Sequence, residues 1–381
     1  MRIKKLLVLV LPVFLLAGPA AAADSETRVI MQDVAESLEV LLPLSLDSDS
    51  FLASDNRELV SKHLAQLETS AGALADHGDT QSLDFQLLAE AFSRAATRIQ
   101  ANYEYLHPAE ARYFLMDLTQ HCVACHSRDA AARDFPLSRS LNRYLEEEPL
   151  NERERARLQV ALRQFDGAMD TWEGVLSDSS VEAVDMSLDG DFVEYLTVAV
   201  RVQEQYERAA QQLERVASRD DTPFYLERRL RTWIDDLEAA QGEPDQPFTM
   251  EQARDWFQRP DPSPGLLWND AQLVSDLVLS ARLRELVAGG EPDVPPAELA
   301  EAYYMLGVLE ARTIGLYSAL PSMERFWEAA IRTAPDSRHA LEAYALLEES
   351  AATAFSGELP FEQTDDTFAR LAELRALVGI E

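Results

Sequence analysis

Apolar residues recur along this chain at alternating spacings of three and four, the signature of one buried face on an α-helix. Before residue 130 the pattern predicts four helices. The first runs from about Thr27 to Leu44, with Ile30, Val34, Leu38, Leu41 and Leu42 on one side. The second opens at Asp55, with Glu58 three places on as in a capping box, carries Val60, Leu64, Leu67, Ala71 and Leu74, and ends at Gly78. The third begins near Ser82 and aligns Phe85, Leu88, Phe92, Ala95 and Ile99. The fourth has Pro108 in its first turn, where a missing N–H is harmless, and aligns Leu115, Leu118, Cys122 and Cys125. No stretch alternates as a strand would. Four amphipathic helices joined by short loops predict an all-α fold with a four-helix bundle over residues 24–130.

After Asp129 the texture changes. Residues 131–155 are charged, carry two prolines and lack a clean stripe, so they read as a connector. Over 156–381 helix pairs recur. QFDGAMDTWEGVL (164–176) and QYERAAQQLERVA (205–217) share an aromatic, an alanine and large apolar residues three or four places apart, with Ala168 and Ala209 in register. EAYY at 301 echoes EAYA at 342, and RFWEAAIRTAPDS (325–337) places a proline five positions after Ala330. These segments resemble tetratricopeptide repeats, though the period is longer than that family's and only Leu306-Gly307 keeps its first-helix signature. The resemblance implies an α-solenoid-like region with a docking surface. Prolines at 244–247, 260–264 and 292–296 separate its helices.

The chain opens MRIKK, continues into the apolar run LLVLVLPVFLLAG, and reaches the small residues Ala20 to Ala23. This is the pattern of a secretory signal peptide over 1–23, cleaved near Ala22 or Ala23, and it predicts a periplasmic protein with no integral membrane segment afterwards. No cysteine sits at the cleavage point, which argues against a lipid anchor. Acidic residues number 67 against 34 basic ones, a net charge of −33. That balance argues against nucleic acid and anionic lipid as partners; it suits a solvated acidic surface soluble in a salty medium, or docking to a basic partner.

The only two cysteines stand in HCVACH, residues 121–126. Cys122, Cys125 and His126 form C-x-x-C-H, the attachment pattern of a c-type haem. On a helix, positions i and i+3 share a face, so both thiols can add to the vinyl groups on one porphyrin edge. The adjacent imidazole can then meet the iron as proximal ligand. That attachment takes place outside the bacterial cytoplasm, in agreement with the signal peptide. A dithiol redox site would open a helix in a β-α-β unit. Zinc would need two further ligands, and nothing spaces His121 or His63 for that role. A disulfide within one helical turn would be strained.

A four-helix bundle with C-x-x-C-H near the end of its last helix resembles the class II cytochromes c, the cytochrome c′ group, over about residues 25–130. The resemblance implies haem c attached at Cys122 and Cys125, with His126 as proximal ligand. It also implies a first-helix residue on the opposite haem face, a ligand or an apolar block, and Met31 is the candidate distal ligand. The aromatic and basic residues usual after the histidine are matched only in part by Ser127, Arg128 and Asp129. Among other distal candidates, Met116 shares the motif's own helix. His121 is expected to point aside, His63 to be half-exposed, and His77 and His107 to sit at helix ends; His339 has no role. A class I arrangement would nominate Met169, which reads as repeat packing, or Met186, which reads as loop.

The expected function is one-electron transfer by an exported monohaem cytochrome whose helical repeat region docks a redox partner. Two rivals stand beside it: a gas-binding protein of the cytochrome c′ kind, and a scaffold on which haem is secondary. No substrate-converting site is expected; the acids are too numerous and the histidines too scattered to mark one.

Overall fold

The computed structural model describes residues 25–78, 83–118, 121, 150–188, 190–241, 248–258, 272–288, 294–313, 320–354 and 361–380. Among them all regular structure is helical and there is no strand, as the apolar spacing predicts. The expected signal peptide, most of the connector, Cys122, Cys125 and His126 lie outside the described residues.

The first helices are α1 (Ser25–Leu46), α2 (Ser48–Leu52), α3 (Arg57–Gly78), α4 (Leu83–Tyr105) and α5 (Pro108–Asp117). Helix α2 is absent from the expected set. Asp47 makes it, its side chain accepting from the backbone N–H groups of Asp49 and Ser50, and Phe51 then packs edge-on against Tyr103, ring centroids 5.4 Å apart. Cross-helix contacts fix directions. His77, late in α3, meets Glu26, early in α1, at 3.6 Å. A side chain on Gly78 would touch Gln86 and Ala89 of α4, while Ser61 bonds Glu104 at the other end. The Arg98 guanidinium sits 3.8 Å over the ring of Phe114, and Phe92 lies 6.4 Å from His121. Arg112 of α5 donates to the last carbonyls of α1, 3.0 Å to Leu46, satisfying acceptors that a helix end leaves open. Neighbours in the order α1, α3, α4, α5 are therefore antiparallel, and α5 closes back on α1 as a four-helix bundle. Its core holds Val34, Leu41, Leu64, Leu67, Phe92, Ile99 and Leu115, positions on the expected stripes.

Next come α6 (Glu152–Ala161), α7 (Phe165–Ser177), α8 (Ala183–Leu188), α9 (Asp191–Leu196), a π-helical segment (Thr197–Val202), α10 (Tyr206–Ala217) and α11 (Phe224–Gln241). Helix α6 starts inside the expected connector because Asn151 and Glu154 form a reciprocal capping box. Met186, expected in a loop, is fully buried on α8, where one short apolar turn is held by its surroundings. Ala168 of α7 and Ala209 of α10 are fully buried at their matching positions, and Met169 packs in the same core. Asp191, fully buried, is held by a bidentate pair of 2.7 Å bonds from Arg153.

The last set is α12 (Met250–Phe257), α13 (Leu273–Ala288), α14 (Pro296–Thr313), α15 (Leu320–Thr333), α16 (Arg338–Ala354) and α17 (Phe361–Leu377). Helices α14 and α15 pack so closely that a methyl group on Gly307 would collide with the ring of the fully buried Trp327. Glycine to alanine inside a helix ordinarily gains up to about 1 kcal/mol. Here the sign reverses: Gly307→Ala should lose about 1–3 kcal/mol by overpacking, read as a lower urea midpoint.

The later helices fold back onto the bundle at two places. Leu158 and Leu162 of α6 pack on Leu42 of α1. On the far side α15 packs along α4, and Arg370 of α17 pairs with Glu328 of α15 beside it. Inside this layer three guanidinium groups converge on one carboxylate. Arg201, from the π-helical segment, meets Glu310 at 3.0 Å and also bonds Ser280 at 2.7 Å and Thr313 at 3.1 Å. Arg284 bonds the same Glu310 oxygen, and Arg325 adds its charge nearby. Burial pulls the Arg201 pKa down to about 10, so it stays charged at neutral pH.

Candidate haem site

Helix α5 is the element that would deliver the haem motif. Its apolar positions Ala111, Leu115 and Leu118 are buried in the bundle, and the chain is helical again at His121. His121 is 8% exposed, with its ring tilted against Phe92 of α4 and Nδ1 without a hydrogen-bond partner. Burial pushes its pKa down to about 4, helped by the positive charges of Arg325 and Arg94. The side chain is therefore neutral at physiological pH. It was expected to point aside; it is a buried contact of the α4–α5 seam. In sequence, Cys122 follows His121 directly, and Cys125 and His126 come four and five residues after it.

Met31 is half-buried against the bundle core. Its height follows from the contacts above. Glu26 is level with His77, and Gly78 with Gln86 to Ala89. Five residues further along α1 and α4, about 7–8 Å at about 1.5 Å per residue, lie Met31 and the neighbourhood of Phe92, which touches His121. By these levels Met31 stands beside the part of the bundle where α4 carries Phe92. The core at this level mixes Phe92 and Leu74 with small side chains, Ala71, Ala89 and Ala96.

Met116 is the next-to-last residue of α5, five residues before His121, and its sulfur accepts from the Ser45 hydroxyl at the C-terminal end of α1, 3.1 Å away. His63 is two residues from Ser61, which bonds Glu104, so it belongs to the end of α3 away from Gly78; burial, then Lys62, lowers its pKa. It is half-buried, as expected. His107 is the exposed residue before α5. His77 occupies a helix end as expected, but its side chain is buried against Glu26. His339 packs on Tyr304, ring centroids 5.5 Å apart, far along the chain.

Among the described residues no group of three or more His, Cys, Asp or Glu could hold a metal ion. None of their helices is long and apolar enough to cross a membrane. The sequence holds two thiols and an imidazole at C-x-x-C-H spacing, starting one residue after this buried histidine. The chemistry of that donor set fits a haem. Sequence reasoning missed two residues beside this end, Arg94 and Arg325. Arg325 carried a usable signal, a cation inside the apolar run RFWEAAI of α15.

No family model matches the chain, and no curated protein or solved structure matches it either.

Proposed function

We propose that this chain is an exported, periplasmic electron carrier with one covalently attached haem c. Cys122 and Cys125 would hold the group through thioethers, and His126 and Met31 are the residues that would ligate its iron. The single observation that carries the reading is the sequence C-x-x-C-H directly after His121, beyond the last helix of a four-helix bundle, in a chain that opens with the pattern of a secretory signal. Bound there, haem supplies reversible one-electron exchange at iron. The chain's own part is to bury the attachment end, to exclude water with the α4–α5 seam, and to fix the surrounding charge. The acidic surface suits a basic redox partner, docked on the tetratricopeptide-like helices 156–381. Because α15 lies along α4, the full chain is the unit to test; truncation at Arg155 would bare a face of the bundle.

The decisive measurement is intact mass with a pyridine haemochrome spectrum on protein matured in a host competent for haem attachment. One tetrapyrrole per chain supports the reading; a bare polypeptide removes it. Met31→Ala addresses the distal side. It should convert six-coordinate iron to five-coordinate, seen as a change from a low-spin to a high-spin visible spectrum. A wild-type protein that is already five-coordinate favours gas binding instead, and an unchanged spectrum removes Met31 as ligand.

A further inference from the structure

We infer that Arg312, Tyr304 and His339, gathered around the Phe257 ring, form a binding site for a small carboxylate on the C-terminal helices. The site is separate from the haem reading and uses no residue near the motif. Three helices build it: α12 supplies Phe257, α14 supplies Tyr304 and Arg312, and α16 supplies His339. The rings of Phe257 and Tyr304 meet edge-on with centroids 6.3 Å apart, and the His339 ring lies 5.5 Å from Tyr304 on a shallow tilt. The Arg312 guanidinium sits 5.3 Å from the centroid of Phe257. Phe257 therefore adjoins both polar side chains of α14, although they stand two turns apart on that helix. All four side chains are half-buried. Between Ala300 and Glu310, Tyr304 is the only residue of α14 that is not buried, so this strip is where the helix meets solvent.

The strip holds donors that the fold leaves unused. The Arg312 side chain is 16% exposed, its Nε is buried without a hydrogen-bond partner, and the Asp276 carboxylate lies 3.9 Å away, beyond hydrogen-bond reach. His339 Nε2 is likewise 3.9 Å from Glu301. Burial, then Glu342, raises the pKa of Tyr304, so its hydroxyl keeps a proton to donate. The acids beside these groups are already engaged. Glu301 accepts both bonds of Arg254, at 2.8 and 2.7 Å, and Glu342 accepts a 2.7 Å bond from Arg338. Asp276 balances the charge of Arg312 without bonding it, so what a ligand adds is hydrogen bonds, which are strongest when the acceptor is ionised. A carboxylate has two coplanar acceptor oxygens, the geometry a guanidinium matches. The rings of Phe257, Tyr304 and His339 offer a flat apolar bed for the rest of the molecule. The class that fits is a small organic acid with a planar or apolar body.

Benzoate is the probe, titrated into the full chain by calorimetry, with benzamide and acetate as comparators. Benzamide keeps the ring and loses the charge; acetate keeps the charge and loses the ring. Benzoate should saturate with a Kd of about 1 mM, the scale open to so few atoms. Both comparators should bind at least about tenfold more weakly. Arg312→Gln should weaken benzoate about tenfold or more, and Tyr304→Phe, which keeps the ring, about fivefold. Arg338→Gln, whose guanidinium is engaged with Glu342, should leave the affinity unchanged. No saturable heat from benzoate below about 50 mM, or equal affinity for benzamide, overturns the inference. Unchanged benzoate binding in a folded Arg312→Gln protein overturns it too. Should Arg312→Gln not fold, unchanged affinity in both Arg312→Lys and Tyr304→Phe overturns it equally, because lysine cannot give two parallel bonds and phenylalanine gives none. The double serine variant of Cys122 and Cys125 should bind benzoate as wild type does. Loss of binding there would place the carboxylate on iron and overturn this site, while a chain that matures without haem leaves it standing.

Discussion

Replacing Cys122 and Cys125 together by serine should leave a chain that carries no covalent tetrapyrrole, its intact mass equal to that of the bare polypeptide and its haemochrome bands absent. The expected loss is complete, because a hydroxyl does not add across a vinyl group under conditions in which a thiol does. Each single serine variant keeps one thiol and should retain a reduced fraction of singly attached haem. His126→Ala removes the imidazole and keeps both sulfurs, so attachment should survive better than the axial field, and the visible spectrum should change more than the mass. His121→Phe is the matching control. It fills the same buried place beside Phe92 without a donor, and attachment should persist. Equal loss of haem in His121→Phe and the double serine variant would mean that local packing, not the thiols, holds the group. Haem attached there would also stabilise the state that binds it, so the double serine variant should melt at a lower temperature than loaded wild type.

Glu310→Gln should be the most damaging substitution outside the motif, at about 3–5 kcal/mol of unfolding free energy. Glu310 is 3% exposed and Arg201 and Arg284 both bond to it. The glutamine has nearly the same shape but no charge, so the guanidinium groups keep their desolvation penalty and lose the attraction that offset it. The exposed pair Arg338–Glu342, 2.7 Å apart on the surface of α16, gives the contrast. Glu342→Gln should change stability by less than about 1 kcal/mol, because water screens that pair. Urea unfolding of both variants decides the comparison, and similar small losses would mean that the Glu310 cluster is wet or loosely formed.

Acid adds a second readout for Glu310. Burial alone would raise its pKa, but Arg201, Arg284 and Arg325 overcome that and hold it at about 2, against 4.5 for an ordinary glutamate. A folded-state value below the unfolded one means that the contribution to stability is complete above about pH 4.5 and fades as pH falls toward 2. Wild type should therefore lose stability more steeply than Glu310→Gln across that window. Parallel slopes would place the acid-sensitive group elsewhere.

Much of the fold was legible because helices bury one face at a fixed angular period. The stripes Val34–Leu41, Leu64–Leu67–Ala71 and Phe92–Ile99 entered the bundle core as their spacing required. Capping signals were legible only in part. Asp55 with Glu58 read as a helix start, yet the helix begins at Arg57, and Asp47 instead caps a separate short turn. Met186 read as loop because its apolar run is too short to show a period. Its burial comes from neighbours distant in sequence.

For the candidate site, the proposed chemistry rests on the sequence alone. Two thiols and an imidazole at C-x-x-C-H spacing point to haem attachment because the reacting groups and their separations are local in the chain. Tertiary structure alone decided what surrounds that chemistry. It set the burial of His121 on Phe92 and the level of Met31. It also brought Arg325 from α15 to the α4 face and made Arg201, Arg284 and Glu310 one buried cluster. The physical reason is range. Periodicity and motif spacing report interactions within a turn or two of helix, while a buried charge is set by whichever distant helices close over it.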